Sequence, residues 1–536
     1  MLLSKSILSG TLLAAFFCAA PASVPLPPAE PVQQPAARPA LVVFITVDQL
    51  REDYLDRWRS QYTGGFKRLL DGGAFFTNGH QDHAITETAP GHASTMSGRF
   101  PRSTGITRNV AGVGDTSVTL LGATGLAASP FRFRGTTLTD WLTSVDPRTR
   151  ALSVSYKDRG AILPIGKSKQ EVYWYAGRPG IFTTSTYYRD SLPAWLQAFN
   201  ARRLPQSYAG KRWDLLLAAR NYSEKDSVPQ ESRNGSPFVF PYGVPDDSAA
   251  AAAVLPGYPF MDEVTAALAL AGVSALNLGR GPATDVLAVS FSASDLIGHR
   301  FGPDSREAHD QNLRLDHILG SFIDSLYKLR DSSRIIFALT ADHGVTPFPE
   351  LNDGRVTPAP VRVDLRPAIQ AAESVLARAK GKISAMDFES GALFVEPQEA
   401  GVPAEVIRAT VDTFIAVAKR IPGVRRVDRP ADMAKADLQK DAIARRWTQM
   451  FPSDLPVEAT VTLTQGSYWR AATVAMHGQP YDADTHVPIL FYGPPFKPGR
   501  YAEFARTVDM VPTLAQVLGV APSEKLDGHP LTVGIK

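Results

Sequence analysis

The chain has 536 residues, 44% of them hydrophobic and 20% charged, which excludes wholesale disorder and leaves room for a large core with insertions. A formal charge of +3 over that length provides no concentrated basic field of the kind that holds a nucleic-acid backbone, so nucleic acid is not expected as a partner.

The first element in chain order reads as an export signal. Lys5 precedes an apolar run from Ile7 to Ala20, and Ala20-Pro21-Ala22 supplies small residues near a cleavage point. Residues 1–22 are therefore expected to be a signal peptide and the product to be periplasmic or secreted. The run is shorter than the ~20 residues a spanning helix needs, so no stable membrane anchor is expected. Cys18 is the only cysteine; it follows Phe16 and Phe17, where a lipidated cysteine would follow a small residue. After export no disulfide or thiolate site remains, and any metal must be held by oxygen and imidazole. Residues 23–40 are proline-rich and read as an extended linker.

Fold reasoning starts at Leu41. LVVFITV (41–47) is a continuous apolar, β-branched run ending on Asp48, as expected for a strand buried on both faces of a parallel sheet. ALSVSY (151–156) ends at Lys157, DVLAVSF (285–291) leads to Asp295, RIIFALT (334–340) ends at Asp342, and VPILFYG (487–493) follows His486. Helical spacing alternates with these runs, as in 305–330 with Leu313, Leu315, Ile318, Phe322 and Leu326. The expected class is α/β, a mostly parallel central sheet flanked by helices, with ligands at the carboxyl ends of the strands. The stretches 165–260 and 350–480, holding aromatic and Pro/Gly-rich segments such as VYWYAGRPG and SPFVFPYGVP, read as cap insertions in a catalytic domain covering 41–536. No internal repeat is apparent.

Three patterns carry chemistry. Asp295-Leu-Ile-Gly-His299 spaces an aspartate and a histidine four apart, Asp342-His343 sits at a strand end, and Asp484-Thr-His486 precedes another strand. Together they suit a di-zinc hydrolase: hard carboxylates and imidazoles, several ligands per metal, no thiolate. Two cations close together polarise a phosphoryl oxygen and stabilise a leaving oxygen in an in-line displacement, which requires a nucleophile between them. Thr88, in Thr88-Ala-Pro90-Gly91-His92, is the candidate. Pro90 suits a first helical turn, so Thr88 would stand at a helix N-terminus, where unpaired N–H groups favour an alkoxide and a phosphate. His80, His83, His92, His309, His317 and His477 read as loop, capping or supporting groups, and His92 shares the nucleophile's helix.

On these residues the chain resembles the alkaline phosphatase superfamily, in particular its threonine-nucleophile bacterial monoesterases. The resemblance implies two zinc ions per chain: one on Asp48, Thr88, Asp342 and His343, the other on Asp295, His299 and His486. It further implies that Asn109, Lys157 and Arg159 bind the phosphate, the last two as a Lys-x-Arg clamp that favours a dianionic monoester over a diester. The expected activity is hydrolysis of small phosphate monoesters through a phosphothreonine, by a monomer. Two alternatives stand beside it: a nucleotide pyrophosphatase or phosphodiesterase with the same metals and nucleophile, and a non-catalytic exported protein that binds metal or phosphate. Sulfatases are disfavoured, since no Cys/Ser-x-Pro-x-Arg context is present, and no third catalytic metal is expected.

Overall fold

The computed structural model describes residues 38–232, 238–352, 354–470, 472 and 474–536; the signal-peptide reading of 1–22 and the linker reading up to residue 37 lie outside these residues. No described helix is long and apolar enough to cross a membrane.

In chain order the longer strands are β1 (Leu41–Val47), β2 (Ala74–His80), β3 (Ala151–Ser155), β4 (Glu171–Ala176), β5 (Ile181–Thr183), β6 (Asp285–Phe291), β7 (Ile335–Thr340), β8 (Met386–Glu389), β9 (Ala392–Val395), β10 (Val424–Asp428), β11 (Val457–Leu463), β12 (Ile489–Tyr492) and β13 (Gly499–Arg506). Nine of these strands form one sheet in the order β13-β2-β12-β7-β1-β6-β3-β4-β5. The run β7-β1-β6-β3-β4 is parallel throughout. Antiparallel pairs join β12 to β7 and to β2, and β5 to β4.

The period of two sorts each strand's side chains between two cores. Leu41, Val43, Ile45 and Val47 of β1 enter one hydrophobic cluster, and Val42 and Phe44 enter the other. Helices cover both faces because a parallel sheet needs crossovers. The helices that matter below are α1 (Thr88–Ser97), α2 (Phe260–Ala275), α3 (Ala293–Phe301), α4 (Arg306–Leu329), α5 (Arg366–Arg378) and α6 (Ala404–Ala418). The 305–330 periodicity corresponds to α4, whose first turn is capped by the Ser305 side chain.

The first inserted stretch departs from the expectation of a cap. Its VYWYA segment is β4, which extends the central sheet, sending Val172 and Trp174 to one core and Tyr173 and Tyr175 to the other. Aromatic residues fit a pleated, buried surface, and the following Gly-rich turn had masked the strand. The second stretch builds its own antiparallel sheet, β8-β9-β11-β10, with α5 and α6 packed around Leu376, Leu393, Val411, Phe414 and Val461.

Candidate active site and metal centre

Asp48, Lys157, Asp295 and Asp342 all lie just past the carboxyl ends of β1, β3, β6 and β7, and all are buried. The parallel register of β1 with β6 and β7 brings those ends side by side. Lys157 Nζ lies 2.6 Å from Asp48 Oδ2 and 2.6 Å from Asp295 Oδ2, and 3.3 Å from Thr88 Oγ1.

Thr88 opens α1 as its first helical residue, after the extended Glu87, and all of α1 is buried. Its hydroxyl is 3.5 Å from His343 Nε2. Gly91 explains how α1 comes so close: a Cβ there would stand 2.2 Å from the Asp342 carbonyl oxygen, so the helix packs its backbone directly on the loop after β7. His92, one turn along, presents Nδ1 to the Thr88 carbonyl at 2.9 Å and to Asp342 Oδ2 at 3.3 Å, and Nε2 to Ser290 Oγ at 3.0 Å. It links the nucleophile helix to Ser290 of β6 and stands beside Asp342.

Two clusters of ligand-type atoms adjoin. Asp48, Asp342 and His343 form one, all buried, with His343 Nε2 3.6 Å from Asp48 Oδ1 and 3.5 Å from Asp342 Oδ2. Asp295, His343 and His477 form the other. Spacing of four on α3 puts His299 Nε2 3.3 Å from Asp295 Oδ1, and His477 Nε2 approaches His299 Nε2 to 3.2 Å. The outer nitrogens are fixed by carbonyls: His299 Nδ1 by Ala475 at 2.5 Å, His477 Nδ1 by Thr86 at 2.6 Å and His343 Nδ1 by Gly344 at 2.9 Å. In the neutral ring each histidine then turns the Nε2 lone pair inward, the arrangement metal-bound imidazoles adopt.

The clusters fit divalent cations. Asp48 Oδ1 and Asp342 Oδ2 are enclosed and accept no well-formed hydrogen bond, a costly condition for buried carboxylates. Burial and the neighbouring Asp342 push the Asp48 carboxyl up to about 8, against the opposing pull of Lys157. Burial, His343 and His299 hold the His477 imidazole well below its ordinary value, keeping it neutral and able to ligate.

His486 does not join this group. Its Nε2 is 2.9 Å from the Thr77 carbonyl oxygen and 3.8 Å from Glu52 Oε2, and its ring stacks on His80 at 4.8 Å. The backbone there pairs with β2 at His80, which directs the side chain away from Asp295. His477 stands beside Asp295 and His299 instead, so the expectation for these two histidines is reversed. Asp484, the partner in the same pattern, accepts from Thr346 Oγ1 at 2.6 Å and from the Gln479 N–H at 2.9 Å, shaping the loop that carries His477.

Asn109 bonds to the nucleophile helix, and Arg159 lies in the field of Asp48 and Asp295. Asn109 Oδ1 accepts the Ala89 N–H at 2.9 Å, leaving the Nδ2 end of the amide as a donor. Burial works against the Arg159 charge, yet Asp158, Asp48 and Asp295 together raise its pKa. One further residue has no sequence signal at all. Gln49 takes φ 65°, donates its N–H to Asp342 Oδ1 at 3.1 Å and its Nε2 to Asp295 Oδ1 at 2.9 Å, and so ties the two carboxylates together. Its side chain passes over Gly298, where a Cβ would lie 1.8 Å from Gln49 Oε1.

Residues 42–448 match the family described as type I phosphodiesterase / nucleotide pyrophosphatase. The chain belongs to this family, within the alkaline phosphatase superfamily. It is similar to the alkaline phosphatase PhoV of Synechococcus elongatus, 32% identical over 524 residues that cover 93% of each chain. It is also similar to the alkaline phosphatase PhoK of a Sphingomonas species, at 31% over 92% of this chain and 91% of that protein. The crystal structure of wild-type alkaline phosphatase PafA superposes with a TM-score of 0.86 at 27% identity, covering 94% of this chain and 100% of that one; PafA of Elizabethkingia meningoseptica is 29% identical in sequence. As a member of this superfamily the protein is a metal-dependent hydrolase of phosphate esters.

Proposed function

We propose that this protein is an exported alkaline phosphatase that hydrolyses small phosphate monoesters through a phosphothreonine on Thr88, with two zinc ions per chain. In this reading Asp48, Thr88, Asp342 and His343 hold one zinc, and Asp295, His299 and His477 hold the other. Residues 1–22 direct export, and 41–536 form the catalytic domain of a monomer.

The observation that carries the reading is the setting of the Thr88 hydroxyl. It stands at a helix N-terminus, 3.3 Å from a buried ammonium and against two adjoining ligand clusters. Bound divalent cations would supply Lewis-acid charge to the nucleophile, the phosphoryl oxygens and the leaving oxygen. Thr88 Oγ1 attacks phosphorus, loses its proton and expels the alcohol, which leaves the phosphoryl group on the threonine. Water then attacks that phosphorus, restoring the hydroxyl and releasing orthophosphate. The helix N-terminus and Lys157 favour the alkoxide form of Thr88. Lys157, Arg159 and Asn109 Nδ2 bind the non-bridging oxygens, over which charge is spread in a loose transition state.

The cationic pair selects monoesters, because a diester replaces one charged oxygen with an ester group. In the Lys157→Ala, Arg159→Ala double variant, the barrier for an aryl monoester should rise by about 3 kcal/mol or more. The matched diester should lose much less. Equal proportional losses in kcat/KM on both substrates would contradict the monoesterase assignment and favour a phosphodiesterase.

A further inference from the structure

The hairpin joining β8 to β9 pairs Glu389 with Ala392, so its loop is the two residues Ser390 and Gly391. Their φ angles are 48° and 84°. A two-residue turn with positive φ at both positions is ordinarily built from Asn-Gly, Asp-Gly or Gly-Gly, because other side chains are strained in the left-handed region. Serine is a poor choice for turn formation here. Its hydroxyl, however, donates to Glu87 Oε1 at 2.6 Å, 303 residues away in sequence.

Glu87 immediately precedes Thr88. Its other oxygen, Oε2, accepts the Asn109 N–H at 2.7 Å, and its carbonyl accepts the Gly91 N–H at 3.0 Å within the first turn of α1. Asn109 returns to α1 through Oδ1 and the Ala89 N–H. A second tie runs alongside, with Arg108 Nε 3.1 Å from Glu389 Oε2 and the Arg108 guanidinium 4.0 Å from the centre of the Phe394 ring. One hairpin of the second inserted stretch therefore reaches both Glu87, next to the nucleophile, and the Asn109 loop.

We infer that Ser390 is a positioning residue: its hydroxyl orients the Glu87 carboxylate so that Glu87 fixes the Asn109 main chain, and with it the donor amide, against Thr88. The left-handed strain at Ser390 is the cost of that link, in keeping with the tendency of such strain to gather where function requires it. The functional consequence rests on the roles of Thr88 and Asn109 proposed above; the latch itself is a structural statement that can be read without turnover.

The test separates stability from function by two substitutions of opposite effect. Ser390→Gly removes the hydroxyl and relieves the strain, two effects that offset each other in stability, so it should leave the unfolding midpoint near wild type while lowering aryl monoester kcat/KM on the order of tenfold, the scale of one hydrogen bond to a charged group. Ser390→Thr keeps the hydroxyl and worsens the strain, so it should lower the midpoint while retaining most of the turnover. Amide hydrogen exchange at Asn109 should accelerate at least about tenfold in the glycine variant and stay near wild type in the threonine variant. Turnover that tracks the midpoint across the variants would overturn the inference, as would unchanged Asn109 exchange in Ser390→Gly; the glycine variant decides alone if the threonine variant fails to fold. Faster Asn109 exchange in a protein whose wild type leaves aryl monoesters untouched would support the latch and refute the monoesterase reading.

Discussion

At the scale of single residues, the site turns on which histidine completes the cluster around Asp295. His477 Nε2 is 3.2 Å from His299 Nε2, whereas His486 bonds to the Thr77 carbonyl. His477→Ala should therefore lower monoester kcat/KM at least about a hundredfold and release one metal per chain, read by elemental analysis. His486→Ala should keep the metal content and change kcat/KM by less than about threefold. The sequence offered the same residue type at both positions, and the Asp-Thr-His spacing before a strand favoured His486, whose ring bonds to the Thr77 carbonyl in the fold. A strand register decides where His486 points, and spacing along the chain does not contain it. The helix start at Thr88 was legible because Pro90 suits a first helical turn. Thr88→Ala should abolish turnover with fold and metals retained, and Thr88→Ser should keep a measurable rate. Phosphate trapped by rapid quench on any residue other than Thr88 would refute its role.

At the scale of elements, the close approach of α1 to the loop after β7 depends on Gly91, whose Cβ position lies 2.2 Å from the Asp342 carbonyl oxygen. Gly91→Ala should push the two apart, costing about 1–3 kcal/mol of stability by overpacking. A displacement near 1 Å at the nucleophile also costs on the order of 10²-fold in rate. Denaturant unfolding and single-substrate kinetics measure the two effects, and turnover unchanged from wild type would refute this role of the glycine. A second junction ties three helices together: Asp262 on α2 accepts the Ala293 N–H on α3 at 3.2 Å and Gln311 Nε2 on α4 at 2.8 Å. Burial raises the Asp262 carboxyl to about 7 from its usual 3.8. The fold thus keeps a proton that the unfolded chain gives up first, so this contribution to stability is complete below pH ~4 and is lost as pH rises through about 7. The slope is at most about 1.4 kcal/mol per pH unit for one proton. Asp262→Asn should flatten that part of the stability curve, measured by denaturant unfolding across pH 4–8.

At the scale of the whole molecule, buried carboxylates and imidazoles from distant parts of the chain meet only in the folded state, so metal binding and folding are linked. Removal of metal by a chelator should abolish turnover and lower the unfolding midpoint; zinc in large excess over its Kd should restore both, with a gain of about 4 kcal/mol at a thousandfold excess. A midpoint indifferent to chelation, with metal loss verified, would refute the link. The class of fold and the strand-end placement of several polar residues were legible in the sequence: apolar runs ending on Asp48, Lys157 and Asp342 are a local signal, because strand hydrophobicity and the polar residue at its end are neighbours in the chain. The sequence also marked Asp295 and His299, because a spacing of four shares one helical face. The tertiary structure decided the rest. That VYWYA extends the central sheet, that His477 and not His486 lies beside His299, that Gln49 ties Asp342 to Asp295, and that Ser390 reaches Glu87 all depend on strand register, positive-φ backbone and contacts between segments hundreds of residues apart. Such contacts arise when the layers close on one another, and no local pattern of residues encodes them.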